Sequence, residues 1–317
     1  MSLLEIKDLK KYFSTPRGQL HAVDDVTMSI NAGETMGVVG ESGCGKSTLG
    51  RTIINLQPKT AGQVIFDGRD ITNLSKRESK NLRNEMQIIF QDPYSSLNPR
   101  YTVAQTIQMP LKTLKHMNKA DMEAETDRLM DMVGLDQRFR LSYPHELDGG
   151  RRQRIGIARA LAANPKFIVC DEPVSALDVS IQAQILNLLM DLQDKFGLTY
   201  MFITHNMAVV RHISHNISVM YLGQLVETSP TDDLFEHPLH PYTKALLSAI
   251  PVPDIDHPLK RIVLQGELTS PIEPGVGCRF AARCPYQTEA CNEKQELREV
   301  LPNHFVSCCK VHELNNI

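Results

Sequence analysis

Gly40-Glu41-Ser42-Gly43-Cys44-Gly45-Lys46-Ser47, followed by Thr48, fits the spacing G-x-x-x-x-G-K-[S/T] between an apolar run and a helical segment. Glycines at these positions free the backbone to adopt dihedrals closed to other residues. Several N–H groups can then converge on phosphate oxygens where a helix begins. Lys46 supplies a point charge for the β- and γ-phosphates, and the Ser47 hydroxyl is a magnesium ligand. Further along, Phe167-Ile168-Val169-Cys170 is an apolar run that ends in two acids, Asp171 and Glu172. Asp171 can hold the magnesium through water, and Glu172 can orient or deprotonate an attacking water. The chemistry these residues imply is hydrolysis of a bound nucleoside triphosphate.

Such groups need a rigid frame. Up to about residue 230, β-like runs alternate with helical stretches, which predicts an α/β fold with a largely parallel sheet. Strands are expected at Thr35–Val39, Gln87–Phe90, Phe167–Cys170, Thr199–Ile203 and Ile217–Tyr221. A helix is expected over Ile181–Leu192, and a hairpin turn at Asp67-Gly68 after Val64–Phe66. From about 251 the texture changes. Pro251, Pro253, Pro258, Pro271 and Pro274, with Gly266, Gly275 and Gly277, leave little room for long regular elements, and a boundary is placed there.

The chain has 317 residues, of which 42% are hydrophobic and 22% charged, the balance of a globular protein. A net charge of −3 argues against a protein that holds nucleic acid by neutralising phosphates, although Arg151, Arg152, Arg154 and Arg159 lie close together. No apolar stretch approaches the ~18 residues of a membrane span, and the N-terminus lacks a basic patch followed by an apolar core. A cytoplasmic location is expected.

Four further motifs lie in order around the phosphate loop and the two acids: Gln91-Asp92-Pro93, Leu147-Asp148-Gly149-Gly150-Arg151, Ser175-Ala176-Leu177-Asp178 and Thr204-His205. Together they resemble the ATP-binding cassette ATPases over roughly residues 1–230. The resemblance implies a P-loop ATPase with a RecA-like core, an N-terminal antiparallel β subdomain, and a helical signature subdomain at about 92–160. It assigns Tyr12, with Phe13 as the neighbouring candidate, to stack on adenine. Gly40, Ser42, Gly43, Cys44, Gly45, Lys46, Ser47, Thr48, Gln91 and Asp171 are assigned to ATP, and Ser47, Gln91 and Asp171 to magnesium. Glu172 and His205 would be catalytic, His205 as the switch on the γ-phosphate. Leu147, Asp148, Gly149, Gly150 and Arg151 would complete the other subunit's ATP site, and Asp178 would lie in the dimer loop. The usual signature is Leu-Ser-Gly-Gly-Gln. Asp148 and Arg151 depart from it, which implies an asymmetric pair whose second site turns over slowly, unless Asp148 is merely a tolerated variant.

Gln91 to Arg100, His240 to Pro251 and the tail Gly277 to Pro285 are similar to ATPase subunits of the oligopeptide, dipeptide and nickel importers, most like the second of their two ATPases. That branch implies a cassette over 1–250 and a Cys-bearing extension over 251–317. It also implies a heterodimer with a partner ATPase, peripheral at the cytoplasmic face of the cell (inner) membrane beneath two membrane permeases that an extracytoplasmic solute-binding protein feeds. The expected solute is a peptide; nickel chelates, glutathione-like compounds and opines are alternatives, as is a mainly structural subunit. Intact Lys46, Asp171, Glu172 and His205 argue against the last.

Five of the seven cysteines fall between Cys278 and Cys309. Four thiolates suit zinc or an iron–sulfur cluster, and the spacing is not the C-x2-C of zinc ribbons. The resemblance favours a [4Fe–4S] cluster on Cys278, Cys284, Cys291 and Cys308, with Cys309 in reserve.

Overall fold

The computed structural model describes residues 2–250, 261–264, 266 and 270–317. The boundary expected at Pro251, Pro253 and Pro258 lies outside the described residues. In chain order the strands are β1 (Ser2–Thr15), β2 (Gly18–Asn31), β3 (Thr35–Val39), β4 (Ala61–Phe66), β5 (Arg69–Asp70), β6 (Met86–Ile89), β7 (Phe167–Asp171), β8 (Thr199–Ile203), β9 (Asn216–Tyr221), β10 (Gln224–Pro230), β11 (Arg298–Leu301) and β12 (His304–Val306). The helices are α1 (Lys46–Ile53), α2 (Lys76–Glu85), α3 (Pro93–Ser96), α4 (Val103–Thr113), α5 (Lys119–Met132), α6 (Gly149–Leu161), α7 (Val179–Phe196), α8 (Met207–Ile213), α9 (Thr231–Glu236), α10 (Pro241–Ser248) and α11 (Val311–Asn315). All five expected strands are present to within a residue or two, and α7 contains the expected helix.

The chain divides into two compact units, one of residues 31–34 and 73–203, the other of 2–30, 35–72 and 204–317. In the first, β6, β7 and β8 run parallel, with Met86 opposite Phe167 and Phe167 opposite Thr199. Every residue of β7 and β8 is buried, as expected of strands covered on both faces. Helices α3 to α6 fill the stretch expected to be helical. A Thr102/Gln105 capping box starts α4, and the Asp148 side chain caps α6.

In the second unit β2, β1, β4 and β5 form an antiparallel sheet. Asp67 and Gly68 turn the β4–β5 hairpin with φ of 49° and 71°, the left-handed pair that such a tight turn requires. A second sheet section runs β11-β12-β10-β9-β3, with β3 parallel to β9 and the others antiparallel. The tail is therefore less irregular than its proline and glycine content suggests. Its hairpin β11–β12 extends this section through β10, where Glu227 stands opposite Val306. The core of this unit gathers Val39, Val219, Tyr221, Tyr242 and Phe280.

Candidate functional site

The phosphate loop leaves β3 at Gly40 and enters α1 at Lys46. Gly40 (φ 151°) and Gly45 (φ 107°) hold dihedrals that side-chain-bearing residues rarely adopt. A Cβ on either would strike a carbonyl, that of Met220 or of Ala22. Gly45 begins α1 without any side-chain cap, so the first N–H groups of that helix face the hollow of the loop. Lys46 is 5% exposed, and its ammonium donates to the carbonyls of Gly40 (2.7 Å) and Glu41 (2.9 Å). The donor set suits a polyphosphate: backbone N–H groups, one lysine and the Ser47 hydroxyl. Cys44 is buried, and burial raises its thiol pKa, opposed by Lys46.

Beside the loop, the Tyr12 ring stacks on His21 at 3.8 Å, and its hydroxyl donates to Asp24. Asp24 also receives His21 (3.2 Å) and Arg279. Tyr12, assigned by resemblance to adenine, thus has one ring face and its hydroxyl already engaged. Phe13, next along the strand and so on its other face, carries the Lys11 ammonium 4.6 Å from its ring centroid. His205 is exposed between β8 and α8.

On the first unit, Asp171 closes β7 and is 1% exposed. Glu172 follows at φ 46°, a left-handed conformation uncommon for a residue with a side chain and typical of functional sites. The Gln91 amide donates to the Glu172 carboxylate at 2.9 Å, so two residues far apart in sequence meet. Asp148 accepts the Arg151 backbone N–H (2.8 Å) and guanidinium (2.6 Å). Its charge is therefore compensated within its own helix start. Gly149 and Gly150 let that start lie close to Leu177 and Ile181, where a Cβ would crowd both. Asp178 is exposed at the head of α7.

The neighbouring arginines have intramolecular partners. Arg152 reaches the Pro144 carbonyl (2.5 Å) and lies over the Tyr94 ring, Arg154 reaches the Val133 carbonyl, and Arg159 that of Ser96 (2.6 Å).

One expectation for the tail finds no support. Cys278, Cys284, Cys291, Cys308 and Cys309 do line one cavity, but its volume is about 10 Å³, room for about one water. The Cys291 and Cys309 sulfurs lie 3.8 Å apart. Among the described residues, no group of three or more His, Cys, Asp or Glu side chains is placed to hold a metal ion. A [4Fe–4S] cluster on these thiols is not supported by this arrangement.

Sequence reasoning missed the contacts by which the tail reaches the loop. Arg283 pairs with Glu41, and Arg279 with Asp24 and the Leu222 carbonyl. The Tyr242 hydroxyl accepts the Glu41 N–H at 2.9 Å. An acidic residue inside an anion-binding loop was the available signal.

A profile of the family described as ABC transporter matches residues 23–175, and one described as oligopeptide/dipeptide transporter, C-terminal region, matches 226–291. The oligopeptide transport ATP-binding protein AppF of Bacillus subtilis is 50% identical over 97% of each chain. The chain belongs to the ABC transporter family of ATP-binding proteins. The oligopeptide transport ATP-binding protein OppF of Salmonella typhimurium is 48% identical over 98% of this chain and 97% of its own. Among solved structures, the dimeric post-hydrolysis state of the cassette MJ0796 bound to ADP and Pi superposes with a TM-score of 0.67 at 29% identity. It covers 72% of this chain and 98% of that one. Like the family, this ABC cassette is an ATPase. Among the described residues no helix is long and apolar enough to cross a membrane.

Proposed function

We propose that this ATPase powers import of di- or oligopeptides, as one of two cassettes beneath a pair of membrane permeases served by a solute-binding protein. The observation that carries the reading is near-50% identity, along both full lengths, to AppF and OppF, which are named oligopeptide transport ATP-binding proteins. In this reading residues 1–250 are the cassette and 251–317 the importer-type extension, and the chain works at the inner face of the membrane as a peripheral subunit.

The roles are those the resemblance implies, and the geometry within each unit is consistent with them. The loop from Gly40 to Thr48 binds the triphosphate through its N–H groups, and Lys46 exchanges two carbonyls for phosphate oxygens. Magnesium, when bound, spreads the phosphate charge; Ser47, Asp171 and Gln91 are its candidate ligands. Glu172, oriented by Gln91, takes the proton of the attacking water, and His205 contacts the γ-phosphate. Phe13 offers the adenine a ring less encumbered than Tyr12. Leu147–Arg151 completes the partner's site, and Asp178 contacts the partner.

The test is steady-state ATP hydrolysis by this chain alone and mixed with the cassette ATPase encoded beside it. Activity that appears only in the mixture and is lost with Glu172→Gln supports the heterodimer; a mixture that stays inactive refutes it. The [4Fe–4S] reading has the sequence resemblance in its favour and the small volume of the thiol cavity against it. Iron and labile-sulfide analysis after anaerobic purification tests it, and absence of iron ends it.

A further inference from the structure

Glu41 poses an electrostatic problem. It sits in a loop built to receive a polyanion, directly after Gly40, and a carboxylate free to face the phosphates would repel them. The structure supplies a counter-charge from the far end of the chain. One nitrogen of the Arg283 guanidinium lies 3.0 and 2.9 Å from the two Glu41 oxygens. The pair is largely shielded, with side-chain exposures of 11% for Arg283 and 25% for Glu41. Burial works against the Arg283 charge, but its hydrogen bonds to Glu41 and Tyr221 outweigh that and raise its pKa.

Three other contacts hold the same segment in place. Phe280 packs edge-on against Tyr221 (centroids 5.3 Å apart) and lies 5.4 Å from Tyr242, whose hydroxyl accepts the Glu41 N–H. Arg279 donates to the Leu222 carbonyl in the turn between β9 and β10. The next residue of that turn, Gly223, donates its N–H to the Cys44 carbonyl of the phosphate loop at 2.8 Å. The segment from Cys278 to Cys284 thus touches the loop side chain at Glu41 directly, and the loop backbone at Glu41 and Cys44 through Tyr242 and Gly223.

We propose that Arg283 is a positioning residue of the ATP site: by pairing with Glu41 it neutralises that carboxylate and turns it away from the triphosphate, so the C-terminal extension is a working part of nucleotide binding. The proposal rests on the assignment of the loop to ATP. Arg283 itself need not touch nucleotide; it acts through Glu41.

Equilibrium binding of a fluorescent ATP analogue to the full chain, with magnesium present, is the test, and circular dichroism melts report folding of each variant. Arg283→Ala is expected to weaken binding about tenfold, equivalent to about 1.4 kcal/mol. Arg283→Lys, which keeps the charge, retains most of the affinity. The deciding variant is the double substitution Arg283→Ala/Glu41→Gln, because removing the unpaired charge restores binding to near the wild-type value. A merely structural arginine gives the opposite pattern, since the second substitution cannot repair lost packing. Unchanged binding in Arg283→Ala, or a loss that Glu41→Gln leaves in place, overturns the proposal. A wild-type chain that binds no analogue overturns the ATP assignment of the loop instead, and the two failures are distinguishable.

Discussion

Glu227→Ala removes a carboxyl group that has no exposure to solvent and three hydrogen-bond donors around it. The backbone N–H groups of Leu239 and His240 reach it at 2.7 and 3.0 Å, and His304 Nε2 lies 2.7 Å from Oε1. The residue stands on β10 between β9 and β12, so it joins the tail hairpin to the turn that begins α10. Truncation leaves these donors buried without an acceptor. Each such group costs about 1–3 kcal/mol, so the three together are expected to cost about 4 kcal/mol, toward the low end of that sum. An unfolding entropy of about 2.1 cal/mol/K per residue over 317 residues converts this to a fall in Tm of about 6 °C. Glu227→Gln keeps one carbonyl oxygen, which at the Oε1 position still accepts from Leu239 and His304, and loses the acceptor for the His240 N–H at Oε2, so its fall is smaller. The assay is a thermal melt followed by circular dichroism, since the chain has no tryptophan to report fluorescence. A fall of less than about 2 °C for Glu227→Ala, or equal falls for the two variants, refutes the reasoning that buried donors dominate the cost.

His240 is pushed down to about 4 by burial, against the pull of Glu227 toward the charged form. The unfolded chain therefore binds one more proton, and stability falls as pH drops from about 6.5 to 4, by at most about 1.4 kcal/mol per pH unit. His240→Asn, which keeps an acceptor for the Tyr242 N–H that His240 now caps at 3.1 Å, should flatten urea-melt midpoints across that range; an undiminished slope excludes His240 as the source. Asp148→Ser keeps a helix cap and frees Arg151 from an exposed pair worth about 0–1 kcal/mol, so Tm should hardly move. If the altered signature slows one of two sites, that variant raises steady-state ATP turnover of the mixed cassettes, and unchanged turnover removes the asymmetry argument.

The phosphate loop, the acids Asp171 and Glu172, and the strands that end at them were legible in the sequence for a local reason. Buried parallel strands read as short apolar runs, and the backbone demands of the loop show as glycines at fixed spacing. The Asp67-Gly68 hairpin was legible for the same reason. The tail was harder to read. Its strands of four and three residues are too short to show a period of two amid prolines and glycines. Its cysteine spacing suggested a ligand set, yet spacing along a chain does not fix whether thiols converge on an ion or close on each other, and here the cavity is nearly filled. Only the tertiary structure decided what Glu41 does. A carboxylate in a phosphate loop is a liability or an anchor depending on where a cation lies, and that cation, Arg283, is 242 residues away in sequence. Charges interact through space with a strength set by distance and burial, and neither quantity is written in the order of residues.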